Sequence, residues 1–151
     1  MRRKDLEVAE RAEVEAILAE ATVCRLAMCD GDQPYVVPLS FGYRDDTLYF
    51  HCAMQGKKLD ILEKNNRVCF QMDVDQELKR GDRPWEFGVK YRSVIGFGAA
   101  SFIDDPLEKA AALDIFVEHY AVSPEEYPEA LLNVTKVIKV EIDSMTGRKS
   151  D

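Results

Sequence analysis

No uncharged run in this chain is longer than eleven residues. Gln33–Tyr43 and Ser93–Ile103 both reach that length, well short of the roughly 18 apolar residues a membrane span needs. Basic residues are also scarce. Lys and Arg number 20 against 28 Asp and Glu, a net charge of −8, and backbone binding to nucleic acid needs clustered positive charge. Membrane and nucleic acid are therefore not expected partners. The four cysteines Cys24, Cys29, Cys52 and Cys69 form no C-x-x-C pair. They lie in apolar, strand-like runs and read as buried free thiols of a reducing, cytoplasmic protein. The opening Met1-Arg2-Arg3-Lys4-Asp5 runs into acids rather than an apolar stretch, unlike a signal peptide. No G-x-S-x-G, Walker or G-x-G-x-x-G sequence occurs, so common nucleophile and phosphate-loop signatures are missing. The two histidines, His51 and His119, have no metal-type spacing to cysteines or to each other, and no metal site is expected.

What is present fits one domain over residues 1–151. The hydrophobic share is 46% and the charged share 32%, the balance of a globular protein. Folding at this length removes about 17,000 Å² of unfolded surface from water, enough for a core without disulfides. The charge is uneven. Between Ser101 and Leu132 eight acids face a single base, Lys109, so this segment carries nearly the whole negative excess.

Val14, Ile17, Leu18 and Ala21 recur at helical spacing and predict a helix over Arg11–Ala21. Strands are expected at Val23–Cys29, Pro34–Tyr43 and Thr47–Cys52, joined by the turns Asp30-Gly31-Asp32 and Arg44-Asp45-Asp46. A short helix follows Gly56 and ends near Asn65-Asn66. Val68, Phe70, Met72 and Val74 alternate with polar residues as a fourth strand. Asp75–Phe87 reads as a loop, Val89–Ile103 as a fifth strand, and Pro106–Tyr120 as a helix bearing Leu113, Phe116, Val117 and Tyr120. Val134–Asp143 makes a sixth strand. Parallel strands would need crossovers of a dozen residues, so the tight turns predict an antiparallel barrel, mainly β with flanking helices.

Three features carry candidate chemistry. Pro34–Tyr43 alternates large Tyr35, Val37, Leu39, Phe41 and Tyr43 with small Val36, Pro38, Ser40 and Gly42. Pro38 breaks a ladder, leaving either an ordinary edge strand or a shelf on which a flat ring lies. Lys57 and Lys58 open a helix, where their charge opposes the dipole. They are either solvated or paired with an anion that the free N–H groups also bind. His51 ends a strand just before them. His119 in the acidic helix reads as a surface residue. Gly96-Phe97-Gly98 inside a strand is expected to allow close packing or bending.

In order along the chain, Met1–Asp5, Cys24-Arg25-Leu26-Ala27, Pro34–Tyr43, Leu48–Ala53, Gly56-Lys57-Lys58, Tyr91–Gly98 and Met145-Thr146-Gly147-Arg148 resemble the pyridoxamine 5′-phosphate oxidase-like FMN-binding split barrels, within them the group of nitroimidazole-resistance proteins. The resemblance implies a six-stranded antiparallel split β-barrel and a homodimer with FMN at the subunit interface. It places Lys57 and Lys58 near the phosphate, Val37, Pro38, Leu39 and Ser40 along the ring, His51 beside the ring, and Ser93 on a strand approaching from the other side. The arginine- and histidine-bearing C-terminal motifs of the vitamin B6 oxidases are not found, which argues against vitamin B6 oxidation. The implied function is an FMN-dependent oxidoreductase that passes nicotinamide-derived electrons to a small organic acceptor such as a nitroaromatic, with His51 as catalytic residue. A non-enzymatic flavin carrier or sensor with an acidic partner surface is the alternative, as is haem binding through His51 or His119.

Overall fold

The computed structural model describes residues 3–151; Met1 and Arg2 of the Met1–Asp5 motif lie outside the described residues. The short β1 (Glu7–Val8) precedes helix α1 (Arg11–Glu20). Strands β2 (Cys24–Asp30) and β3 (Gln33–Leu39) form a hairpin closed by Gly31 and Asp32, with Gly31 at φ 64°. Strands β4 (Gly42–Arg44) and β5 (Thr47–Ala53) form another. Its turn residues Asp45 and Asp46 both have positive φ, 49° and 56°, the mirror-image turn whose twist matches that of paired strands. Helix α2 (Lys57–Lys64), strands β6 (Arg67–Lys79) and β7 (Gly88–Ile103), helices α3 (Pro106–His119) and α4 (Glu129–Asn133) and strand β8 (Thr135–Ser150) complete the chain.

All pairings are antiparallel, in the order β3-β2-β6-β7-β8-β5-β4, with β1 on β8. The two ends of this order, β3 and β4, are one continuous stretch of chain bent at Ser40-Phe41. The sheet thus curls back on itself without a β3–β4 ladder, which is a split barrel. Its interior is filled by Leu26, Phe41, Leu48, Phe50, Phe70, Met72 and Val94, with Ile17 and Leu18 of α1 and Ile61 and Leu62 of α2. Burying each such side chain contributes about 1.5–3 kcal/mol. A smaller cluster of Ile103, Ala112, Leu113, Leu132 and Val137 fixes α3 and α4 on the outside.

The described residues form eight strands rather than six, and the departures from the expected pattern have identifiable causes. The expected strand Pro34–Tyr43 is split because the N–H of Phe41 donates to the Tyr120 hydroxyl at 2.9 Å instead of to a neighbouring strand. Strand β6 continues past Val74 through a bulge at Asp75, which has φ 57° and accepts from Arg92 Nε at 2.7 Å. Part of the expected Asp75–Phe87 loop is therefore strand. Strand β8 runs to Ser150 rather than Asp143, and a register shift at Phe97/Gly98 resets its alternation. Gly98 is needed there, since a Cβ would lie 2.3 Å from the Glu141 carbonyl oxygen.

Candidate functional site

The first expected element is in place. Lys57 and Lys58 open α2, whose N-cap Gly56 supplies no side-chain hydrogen bond. Gly56 sits at φ 156°, ψ 160°, a region essentially reserved for glycine. Leu59 and Asp60 N–H groups bond back to the Gly56 carbonyl, and no side chain caps the first turn. Lys57 Nζ lies 4.6 Å from the Tyr35 ring centroid, which ties the helix start to β3. The result is a positively charged helix terminus whose first turn no side chain caps, a physical match for a phosphate.

Strand β3 is an edge strand, where a proline costs no interior ladder bond. Its alternation divides the four residues expected along a ring. Val37 and Leu39 pack against the core, so only their backbone is available. Pro38 and Ser40 are exposed on the opposite face. Pro38 stands opposite Arg25, whose guanidinium donates to Asp73 at 2.7 Å and to Gln71 at 3.2 Å. Asp73 in turn stands opposite Ser93. Pro38 and Ser93 are thereby joined across one continuous outer face of β3, β2, β6 and β7.

His51 lies elsewhere, on β5 opposite Val137, turned toward α3. Its ring meets Phe116 edge-on at 4.4 Å; the residue stays exposed at the surface, and partial desolvation of the ring pulls its pKa below the ordinary histidine value. The β4–β5 ladder ends at Gly42 and Tyr49, so Ser40 and His51 are not paired across it, and Ser93 belongs to the outer face. Phe116 is held close because Gly42 leaves room for the helix: a Cβ on Gly42 would sit 2.7 Å from the Phe116 Cα.

His119 is not the expected surface residue. It is half-buried, with Nε2 2.7 Å from the Ala21 carbonyl oxygen and its ring 4.3 Å from Phe41. The expectation of buried cysteines holds fully only for Cys24; Cys29 is exposed and Cys52 and Cys69 are half-buried. Burial raises the Cys24 thiol to about 12.

Arg148, part of the C-terminal motif but not among the expected site residues, completes the outer face. Arg148 on β8 stands opposite Ser93 and helps line a cavity of about 360 Å³ with Gln71, Asp73, Gln76, Val89, Tyr91, Ser93 and Ile95. Its position in the C-terminal Gly147-Arg148 motif was visible, but its register against Ser93 depends on the extension of β8 that the local pattern did not reveal.

An antiparallel split barrel with a basic helix terminus is the class these features define. The family model described as pyridoxamine 5′-phosphate oxidase matches residues 10–149, and the chain belongs to that family. A candidate 5-nitroimidazole antibiotic resistance protein from Bacteroides thetaiotaomicron shares 32% identity, with 97% of this chain and 90% of that one covered and a TM-score of 0.84. A FAD-binding protein from Mesorhizobium loti shares 28% identity, covering 94% of this chain and 96% of that one, with a TM-score of 0.69. An uncharacterized Rhizobium meliloti protein, RA0666, is 35% identical over 65 residues, a match that spans 43% of this chain and 42% of that protein's length.

Proposed function

We propose that this chain is an FMN-binding oxidoreductase, working as a homodimer, that passes electrons from a nicotinamide donor to a small organic acceptor such as a nitroaromatic. The observation that carries the reading is the start of α2, where no side chain caps the first turn and Lys57 and Lys58 form no ion pair among the described residues. FMN when bound supplies the hydride and electron chemistry. Lys57, Lys58 and the first-turn N–H groups hold its phosphate. The backbone of Val37 and Leu39, with Pro38 and Ser40, faces its ring, and Ser93 reaches it from a second copy. The similarity to a FAD-binding protein and to a candidate nitroimidazole-resistance protein supports a flavin and a nitro-compound acceptor.

His51 is the proposed catalytic residue. Its lowered pKa favours the neutral imidazole near pH 7, so it donates a hydrogen bond to the acceptor more readily than a full proton. Haem fits less well, because His119 Nε2 is occupied by Ala21, leaving His51 alone as a ligand.

Dimerisation is supported by surface. The chain exposes 9362 Å², about a fifth more than the roughly 7,800 Å² expected of a compact monomer of this mass. The outer face bears Val36, Ile95 and Phe97 at 59%, 46% and 51% exposure, and Trp85 stands out at 74%. An apolar face of this kind marks an interaction surface. Titration of the purified protein with FMN, with light scattering and NAD(P)H-dependent reduction of a nitroaromatic, tests the reading. Saturable binding of one FMN per subunit in a dimer, with turnover, is expected. Flavin binding without turnover would make the protein a carrier or sensor. A monomer that binds FMN tightly would remove the second-copy role of Ser93, and no flavin binding would overturn the whole proposal.

A further inference from the structure

We infer that Arg148, Ser93 and Tyr91 form a recognition site for a small aromatic carboxylate, set in the outer-face groove. The inference rests on the flavin reading only in taking that carboxylate as part of the electron acceptor. Arg148 Nε is buried and has no hydrogen-bond partner among the described residues. A buried N–H donor left without a partner is costly, so the Arg148 Nε calls for an acceptor that none of the described residues supplies.

The carboxylate that lines the groove, Asp73, is already committed. Asp73, Ser93 and Arg148 form a row across β6, β7 and β8, yet Asp73 points the other way. It accepts from Arg25 at 2.7 Å and from Gln71 at 2.9 Å, and also from Gln76. Between it and Arg148 stands Ser93, 7% exposed, whose hydroxyl supplies a second donor toward the groove.

The remaining walls choose the ligand's body. Val89 and Ile95 are apolar, and the Arg148 guanidinium lies 6.0 Å from the Tyr91 ring centroid. A flat ring placed along Tyr91 would direct a carboxylate at the guanidinium. The two oxygens of a carboxylate match the forked N–H donors of Arg, which a lysine or an uncharged ligand does not reproduce. The cavity of about 360 Å³ has the size of a site for a one-ring molecule.

The test compares 4-nitrobenzoate with nitrobenzene, identical but for the carboxylate. Binding is measured by calorimetry on the full chain, with and without FMN, for wild type, Arg148→Gln, Arg148→Lys and Ser93→Ala. Wild type should bind 4-nitrobenzoate at least tenfold more tightly than nitrobenzene. Arg148→Gln should abolish the preference, and Arg148→Lys should recover only part of it, while FMN affinity and dimer mass stay unchanged. If Arg148→Gln does not fold, the lysine variant carries the comparison. No preference in wild type, or a preference that survives Arg148→Gln, overturns the inference. Loss of the dimer in Arg148→Gln would mean that the guanidinium pairs with a second copy. Loss of FMN affinity would assign it to the flavin. Either of these also overturns it. Because the preference is measured without FMN as well, failure of the flavin reading leaves a distinct signature: no FMN binding with the carboxylate preference intact.

Discussion

Replacing Gly42 with Ala tests how α3 is held against the barrel corner. A Cβ at this position would approach the Phe116 Cα at 2.7 Å, the Phe116 N at 2.8 Å and the Ile115 carbonyl carbon at 2.9 Å. All three are backbone atoms, so no rotamer change relieves the contact; the helix must shift. Overpacking of this kind costs about 1–3 kcal/mol, and the backbone clash sets the expectation at about 3 kcal/mol. For a domain near 150 residues each kcal/mol moves Tm by about 2–4 °C, so a fall of about 6–12 °C is expected. The shift should also lift Phe116 from His51, moving the imidazole titration up toward its ordinary value. Gly88→Ala is the control, since a Cβ there meets nothing within 4 Å. Thermal unfolding followed by circular dichroism, with NMR titration of His51, reads both effects. A Gly42→Ala protein that melts like wild type, with His51 titrating unchanged, would refute the packing argument.

His51 is protonated less easily in the folded chain, because partial desolvation lowers its pKa below the unfolded value of about 6.5. Protonation therefore opposes folding, and stability conferred on the neutral form should decline as pH drops below about 6.5. Urea unfolding of wild type and His51→Gln at pH 5 and pH 8 should show wild type losing ground to the variant at the lower pH; an identical difference at both would contradict this. In turnover, His51→Gln should keep most of the acceptor half-reaction and His51→Ala should not. Equal losses in stopped-flow reoxidation would assign His51 a true proton transfer. Tyr120→Phe removes a hydroxyl that accepts from Phe41 N–H at 2.9 Å and donates to the Thr22 carbonyl at 2.8 Å. It should cost about 1–3 kcal/mol, seen as a lower urea midpoint, and an unchanged midpoint would show that the corner does not depend on this bridge.

The fold was legible where chain-local physics decides it. The tight turns at Gly31 and Asp45-Asp46 fixed the hairpins, and helical spacing of Val14, Ile17 and Leu18 fixed α1. The corner at Ser40-Phe41 was not legible, because it depends on Tyr120, the C-cap of α3, far along the chain. The five-residue α4 is too short for periodicity to declare, and the later half of β8 was hidden by a register shift. The basic start of α2 could be read directly, since Gly56-Lys57-Lys58 is a local signal. Arg148 could not, because its place opposite Ser93 depends on the extension of β8 beyond a register shift.

The most direct test of the central claim is equilibrium binding of FMN and riboflavin to wild type and to the Lys57→Ala/Lys58→Ala double variant. The two ligands differ only in the phosphate. Each charge-assisted contact contributes about 1.5–3 kcal/mol, so the double variant should bind FMN at least a hundredfold more weakly while its riboflavin affinity stays within a few-fold of wild type. Equal weakening of both ligands, with the variant folded by circular dichroism, would place the phosphate elsewhere and contradict the account.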